Sequence, residues 1–340
     1  MHKNEAPVVR VGTAVTVSRR FSWAELAHRQ GGRARTLVPY ALLLGLGIFF
    51  SVASPSFLNV NNAFNLLRES STLLVISAGA TLVVVLGSVD LSVGAVATLS
   101  GTIVALMSAK NHGLMPLLLA VPTGLGCGLV NGLLVALARL PSFLATLGTL
   151  FVYSGVAVKL TGGYAVPLQN PTLDNLVNGT AFAGIPNISF WALVAIALVS
   201  FTAYGTTFGR HIYAIGGNER VATLSGLPVW RGKLLIFLLS GLLAGIAGLM
   251  LDARGGGSSP TMGDAFLLNA IAAIVMGGTS LSGGTGGPGR TILGVLTITI
   301  LANGMTLLEV DPRYQSIVFG VIVILAVAFT VRRSELAAVK

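Results

Sequence analysis

Charge is what this chain has least of. Asp, Glu, Lys and Arg together make up 9% of its residues, against roughly 25% in soluble domains. With 54% hydrophobic residues and a mean hydropathy of +0.85, that deficit excludes a soluble globule. Cysteine is reduced to Cys127 alone, inside an apolar run, so no internal disulfide forms and the side chain reads as a small buried residue. Histidine is nearly as rare. His2, His28, His112 and His211 fall in loops or in the N-terminal tail, and none has metal-ligand spacing. No Ser–His–Asp or paired-carboxylate arrangement lies within a span. The acids Glu69, Asp90, Asp174, Glu219, Asp252, Asp264, Glu309 and Asp311 are expected at span edges or in loops. A membrane enzyme needs ionisable groups converging at depth. The same scarcity weighs against an ion-coupled carrier without excluding it, because backbone carbonyls bind sodium. Ten-residue alternation is missing too, which disfavours a barrel. No cleavable signal peptide is expected, since the N-terminus is polar for about 35 residues before the first span.

What remains is long apolar runs. They fall at 36–53, 70–88, 91–109, 114–138, 141–160, 188–206, 233–251, 264–281, 289–308 and 314–331. Runs of about twenty residues predict an all-α, polytopic membrane protein with about ten transmembrane helices. The 43 glycines suit helices that approach closely in lipid. The expected division is a basic tail over 1–35, a transmembrane domain over 36–332 and a short tail over 333–340. With the N-terminus inside, 16 of the 21 Lys and Arg residues face the cytoplasm and five face outward. That bias obeys the positive-inside rule and places both termini in the cytoplasm. It explains the net charge of +10 without invoking nucleic acid. The longer connections then read as external at 54–69, 161–187 and 252–263, and as cytoplasmic at 207–232. The first of these, with Phe57, Phe64, Leu66 and Leu67 among asparagines, reads as an interfacial segment.

A weak repeat links two cytoplasmic connections. Val84-Val85-Leu86-Gly87 with Leu91-Ser92-x-Gly94 matches Ile274-Val275-Met276-Gly277 with Leu281-Ser282-x-Gly284 at an offset of 190 residues. Transporters are often built from repeats, yet glycine-rich apolar sequence also produces such matches by chance, and both readings stand. Gly284-x-x-x-x-Gly289-Arg290-Thr291 resembles a phosphate-binding loop but has Arg290 where the lysine belongs and follows an apolar span. It reads as a glycine-rich turn, so ATP-driven transport requires a second chain to hydrolyse ATP. Asp90, in Gly-Ser-Val-Asp-Leu-Ser-Val-Gly, is placed to cap the following helix or to act at a cytoplasmic gate.

The polar stretch 209–233 carries the sharpest signal. Asn218 is a cap for a short helix starting at Glu219, whose charge suits a helix N-terminus. Gly226 and Pro228 stop that helix. Ala222, Ser225 and Gly226 are small enough for a close fit in a groove. A compact cap, helix and stop inside a cytoplasmic loop predicts a docking element for a soluble partner, built from Gly217, Asn218, Glu219, Ala222, Ser225 and Gly226.

SPSFLNVNNAFNLL at 54–67, GATLVVVLGSVDLSVGA at 79–95, PSFLATLGTL at 141–150, FGRHIYAIGGNERVATLSGL at 208–227 and AIAAIVMGGTSLSGG at 270–284 resemble the permease subunits of bacterial ABC sugar importers of the ribose type. The resemblance covers most of the chain from about Pro55 to Val331. It implies an importer transmembrane domain in the inner membrane that binds no cofactor, ATP and Mg being held by a partner ATPase with two nucleotide-binding cassettes. It also implies a second permease copy and a periplasmic or lipid-anchored sugar-binding protein, with Gly217–Gly226 as the ATPase-coupling segment. Before AIAAI such permeases commonly carry acids, where this chain has Phe266-Leu267-Leu268-Asn269. That departure bears on the substrate and on whether the two permease copies are identical. The expected mechanism is alternating access for a neutral monosaccharide, with Asp90, Ser92, Gly94 and Gly284 as cytoplasmic gate or cap candidates. Ser77, Thr81, Asn131, Thr146 and Asn269 are the candidates for the path. An ion-coupled carrier, a permease for a nucleoside and an enzyme or flippase acting on lipid-linked sugar are the alternatives.

Overall fold

The computed structural model describes residues 23–109, 113–181 and 184–330. Residues 1–22 and 331–340, which hold most of the expected tails, lie outside the described residues. Thirteen helices run through the rest: α1 (Trp23–Ala53), α2 (Val60–Val85), α3 (Val93–Ser108), α4 (Met115–Ala136), α5 (Ser142–Thr161), α6 (Pro171–Asn178), α7 (Asn187–Ser200), α8 (Thr207–Gly217), α9 (Glu219–Leu224), α10 (Val229–Gly255), α11 (Asp264–Met276), α12 (Pro288–Leu307) and α13 (Pro312–Thr330). Lipid offers no partner for a backbone N–H or C=O, so helices that satisfy their own backbone are the economical solution for this composition. Six helical stretches are long and apolar enough to cross a membrane: α2, α4, α5, α7 with its π-turn, α10 and α12. Leu37–Ala53 of α1, α3 and α11 are shorter apolar helices. With α13, each of the ten apolar runs falls on a helix.

Several boundaries differ from expectation. Helix α1 begins at Trp23, inside the expected tail. Helix α2 begins at Val60, so most of the expected interfacial segment 54–69 is its first turns. Asn59 caps it by accepting the Asn61 N–H at 2.9 Å. Helix α11 stops at Met276 rather than 281, and α7 ends in a π-turn over Phe201–Gly205.

Helix α10 is the axis of the bundle. Gly241 and Gly245 lie on Gly124 and Gly128 of α4, so that a Cβ on any of the four would collide with backbone of the other helix. Paired small-xxx-small stripes of this kind let two helices touch main chain to main chain. Gly248 does the same against Ala97 and Gly101 of α3, and Gly79 of α2 rests on Ser240. Around this axis Val75, Ile76, Val83, Ile236, Phe237, Ala273 and Ile274 form a core that is fully or almost fully buried.

The two ends of the bundle differ. At one end, residues 166–167 (β1) pair antiparallel with 257–258 (β2), and Asn178 on α6 donates to the Ala253 carbonyl at the end of α10. Phe64, in the first turns of α2, lies beside Gly184, and Ser71 Oγ further along α2 is 3.3 Å from Ser189 Oγ near the start of α7. Thus the described residues of the connections 54–69, 161–187 and 252–263 gather at this end, and 161–187 carries β1 and α6. Helix α9 projects from the opposite end.

Candidate functional site

Helix α9 is specified locally. Asn218 is extended (φ −162, ψ 102) and its side chain accepts the Val221 N–H at 3.0 Å. Its own N–H closes α8 on Ala214 O, so one residue ends a helix and starts the next. Gly226 (φ +80) donates to Thr223 O and Leu227 to Ala222 O, which terminates α9 before Pro228. Glu219 meets Lys233 at 2.7 Å. The outward face differs from the expected one. Ala222 is buried at 4% exposure and packs inward, whereas Leu224 is 81% and Val221 57% exposed, flanked by exposed Ser225 and Gly226. The signal for this projecting apolar pair is its i, i+3 spacing in an otherwise polar loop, which the expectation of a small-residue face left out.

Behind α9 lie two helix corners, and they end their first helices alike. After α2, Leu86 donates to Leu82 O, Gly87 to Val84 O and Ser88 to Val83 O. After α11, Gly277 donates to Ala273 O, Gly278 to Val275 O and Thr279 to Ile274 O. Gly87 (φ +83) and Gly278 (φ +88) occupy the same left-handed position. The two helix ends share this common geometry in a register one residue longer than the sequence match, which aligned Gly87 with Gly277. The corners touch: Gly284 N–H donates to Val85 O at 2.8 Å, and Gly283 sits against the Gly87 backbone. Gly216 and Gly217, the last residues of α8, complete the joint. A Cβ on Gly216 would overlap Val85 O and Gly284 N, and one on Gly284 would strike the Gly217 backbone.

From there the corners diverge. Segment 88–92 is tied down by side chains of three helices. Val89 N–H donates to Ser142 Oγ and Leu91 N–H to Thr146 Oγ1, both at 3.1 Å. Asp90 Oδ1 accepts from Ser92 N–H (2.9 Å) and Ser92 Oγ (2.7 Å), and Asp90 Oδ2 from Ser240 Oγ (3.1 Å). Asn131 Nδ2 donates to Ser92 Oγ, and Asn131 Oδ1 accepts from Thr149, each at 2.7 Å. Asp90 thus serves Ser92, the N-cap residue, instead of capping the first turn of α3 itself. Segment 279–287 is held by backbone and by tyrosines. Tyr213 of α8 donates its hydroxyl to Gly286 O at 2.9 Å and stacks on Tyr204 at a centroid distance of 6.4 Å. Burial, with Tyr204 beside it, raises the Tyr213 pKa above its ordinary value, which keeps that hydroxyl a donor. Tyr204 OH accepts the Gly289 N–H at 3.4 Å. Arg290 donates to Gly278 O at 3.1 Å, so the arginine of the phosphate-loop lookalike caps α11.

The gate candidates are only partly brought together. Asp90 and Ser92 share one network and Gly284 lies at the joint, but Gly94 packs on Gly263 at the start of α11. Of the path candidates, Ser77, Thr81, Asn131 and Thr146 are enclosed by their own chain. Thr81 pairs with Thr291 at 2.7 Å, and Asn131 and Thr146 belong to the Asp90 network. Asn269 alone is half-buried, on α11 beside exposed Leu268. Asp252 corrects another expectation. It lies within α10, fully buried against Gly101, and neither carboxylate oxygen meets a hydrogen-bond partner among the described residues. Asp90 lies in the connection between α2 and α3, as expected, and is buried there. No group of His, Cys, Asp and Glu able to hold a metal occurs among the described residues.

Residues 62–327 match the family described as branched-chain amino acid transport system / permease component. The ribose import permease protein RbsC of Bacillus subtilis (strain 168) is 39% identical over 305 residues, covering 89% of this chain and 95% of that protein. The protein of the same name from Escherichia coli (strain K12) is 37% identical, covering 84% and 90%. The xylose transport system permease protein XylH of Haemophilus influenzae is 32% identical, covering 85% and 94%. No solved structure matches the chain. A glycine-seamed helical bundle that spans the membrane several times, has no catalytic constellation among its described residues and matches such permeases nearly end to end is a permease: the chain belongs to the branched-chain amino acid transport system / permease component family.

Proposed function

We propose that this chain is the membrane subunit of an ABC importer for a monosaccharide, ribose being the first to test. The support is relatives named for ribose and xylose import that align over at least 84% of the chain. In this reading α9 faces the cytoplasm and docks on an ATPase that binds ATP and Mg. A binding protein delivers the sugar to the end carrying α6, and the path runs against a second permease copy.

The observation that carries the coupling assignment is the self-capped α9 with Leu224 and Val221 projecting from a polar surface. Aliphatic anchors surrounded by polar residues suit a hydrophobic cleft on a partner. Among the path candidates, partly exposed Asn269 on α11 is the one free to meet solute in this conformation. Thr81, Asn131 and Thr146 tie neighbouring segments together, and Ser77 is fully buried with a hydroxyl that meets no hydrogen-bond partner among the described residues.

Membrane vesicles containing the chain, its ATPase and its binding protein take up radiolabelled ribose only with ATP. Leu224→Asp with Val221→Asp abolishes ATPase copurification and uptake while membrane insertion persists. Uptake driven by an imposed ion gradient without ATP would instead establish the carrier reading.

A further inference from the structure

We propose that Tyr213 and Gly216 are positioning residues that fasten α9 to the α11–α12 corner, so that the corner follows the docking helix through the transport cycle. The inference rests on the coupling reading above and names the contacts that carry the motion inward.

Helix α8 ends where α9 begins, with Asn218 shared between them. A displacement of α9 therefore pulls directly on α8. Helix α8 in turn grips segment 279–287 twice. One grip is the Tyr213 hydroxyl on Gly286 O at 2.9 Å, braced by stacking on Tyr204. The other is Gly216, whose Cα lies so close to the chain that a methyl there would overlap Gly284 N and Val85 O. Hydroxyl to carbonyl and backbone to backbone, both grips lack the long flexible side chains that would absorb a displacement. Gly216 also abuts Val85 O at the end of α2, so its contact is shared by both corners, but no side chain of α8 bonds segment 88–92 among the described residues, and the side-chain partners of that segment lie on α4, α5 and α10. The backbone bond between the corners is Gly284 N–H to Val85 O. A single neutral hydrogen bond is a weak tie, and the rest of the contact between the corners is Gly283 packed on the Gly87 backbone.

The experiment uses the full transporter in proteoliposomes and reads ATP hydrolysed per ribose imported. That ratio does not depend on how much protein folds. Tyr213→Phe, which deletes one hydroxyl, raises the ratio roughly three- to tenfold, as expected for the loss of one hydrogen bond. Gly216→Ala raises it further. Ser240→Ala, on the other corner's network, leaves it unchanged. A second measurement needs no sugar: spin labels at Thr223 of α9 and Leu281 of the corner, both exposed, in a Cys127→Ala background. Their separation stays constant between nucleotide-free and ATP-trapped complexes in the wild type and spreads in Tyr213→Phe. An unchanged ratio in Tyr213→Phe, with uptake and hydrolysis falling together, overturns the proposal, as does a label separation that changes on trapping ATP in the wild type. A wild type that ignores ribose sinks the substrate reading alone. An ATPase that never copurifies overturns the coupling reading and this inference with it.

Discussion

The α2–α3 and α11–α12 corners leave their first helices by the same three hydrogen bonds, yet the segments beyond those bonds are built from different materials. Segment 88–92 is moored by hydroxyls, an amide and a carboxylate, with partners on α4, α5 and α10. Segment 279–287 is held by its own Thr279, which accepts the Gly287 N–H, by glycine backbone and by Tyr213 of the α7–α8 arm, with bonds from Tyr204 to Gly289 and from Arg290 to Gly278 at its flanks. A polar network that is fully satisfied fixes one geometry. Glycine contacts allow close approach and, at positive φ, conformations that other residues resist. On the proposal above, the same turn serves a fixed post in one place and a moving part in the other.

The comparison breaks most severely at the joint. Gly284→Val forces a branched side chain into a left-handed position (φ +71) against the Gly217 backbone. We expect uptake to fall to background, with cell-surface and detergent-extracted protein both reduced. Next comes Asn131→Ala, which removes the amide that bridges Ser92 and Thr149 in the moored corner. Each lost hydrogen bond contributes about 0.5–1.5 kcal/mol, so the solubilised protein melts several degrees lower, while the ATP-to-sugar ratio of the surviving protein is normal. Asp252→Asn keeps shape and removes a buried acid that meets no partner among the described residues. Because an unpaired buried charge is costly, the melting temperature is expected to hold or rise, and a marked fall would reveal a partner for that carboxylate. The smallest effect belongs to Glu219→Gln. Glu219 is half exposed in its pair with Lys233, and such pairs contribute about 0.2–1 kcal/mol. ATPase copurification should weaken at most about two- to fivefold, with no change in melting.

The features legible in the sequence were local or periodic. Asn218, Gly226 and Pro228 write the bounds of α9 within a few residues, and each apolar run found its helix. The orientation of α9 was not legible, because Ala222 turns inward only once α9 packs against its neighbours in the bundle. Nor was the meeting of Val85 with Gly284, a contact between distant stretches that leaves no period in the chain. The match between the corners was visible but misregistered. Gly277 and Gly278 are adjacent glycines, and only backbone geometry shows that the second, at φ +88, is the counterpart of Gly87. Asp252 looked like a loop acid because glycines come soon after it, whereas α10 runs on to Gly255 and encloses it.

The facing glycines of α4 and α10 carry a consequence for the cell's ion gradients. Where Gly124 and Gly128 meet Gly241 and Gly245, main chain abuts main chain, and neither a hydrated cation nor an acyl tail has room to thread between the two. That seam closes the space between these two helices against leakage. On the proposed reading it stays shut whatever α9 does, and solute crosses elsewhere, along a surface that the single chain leaves open.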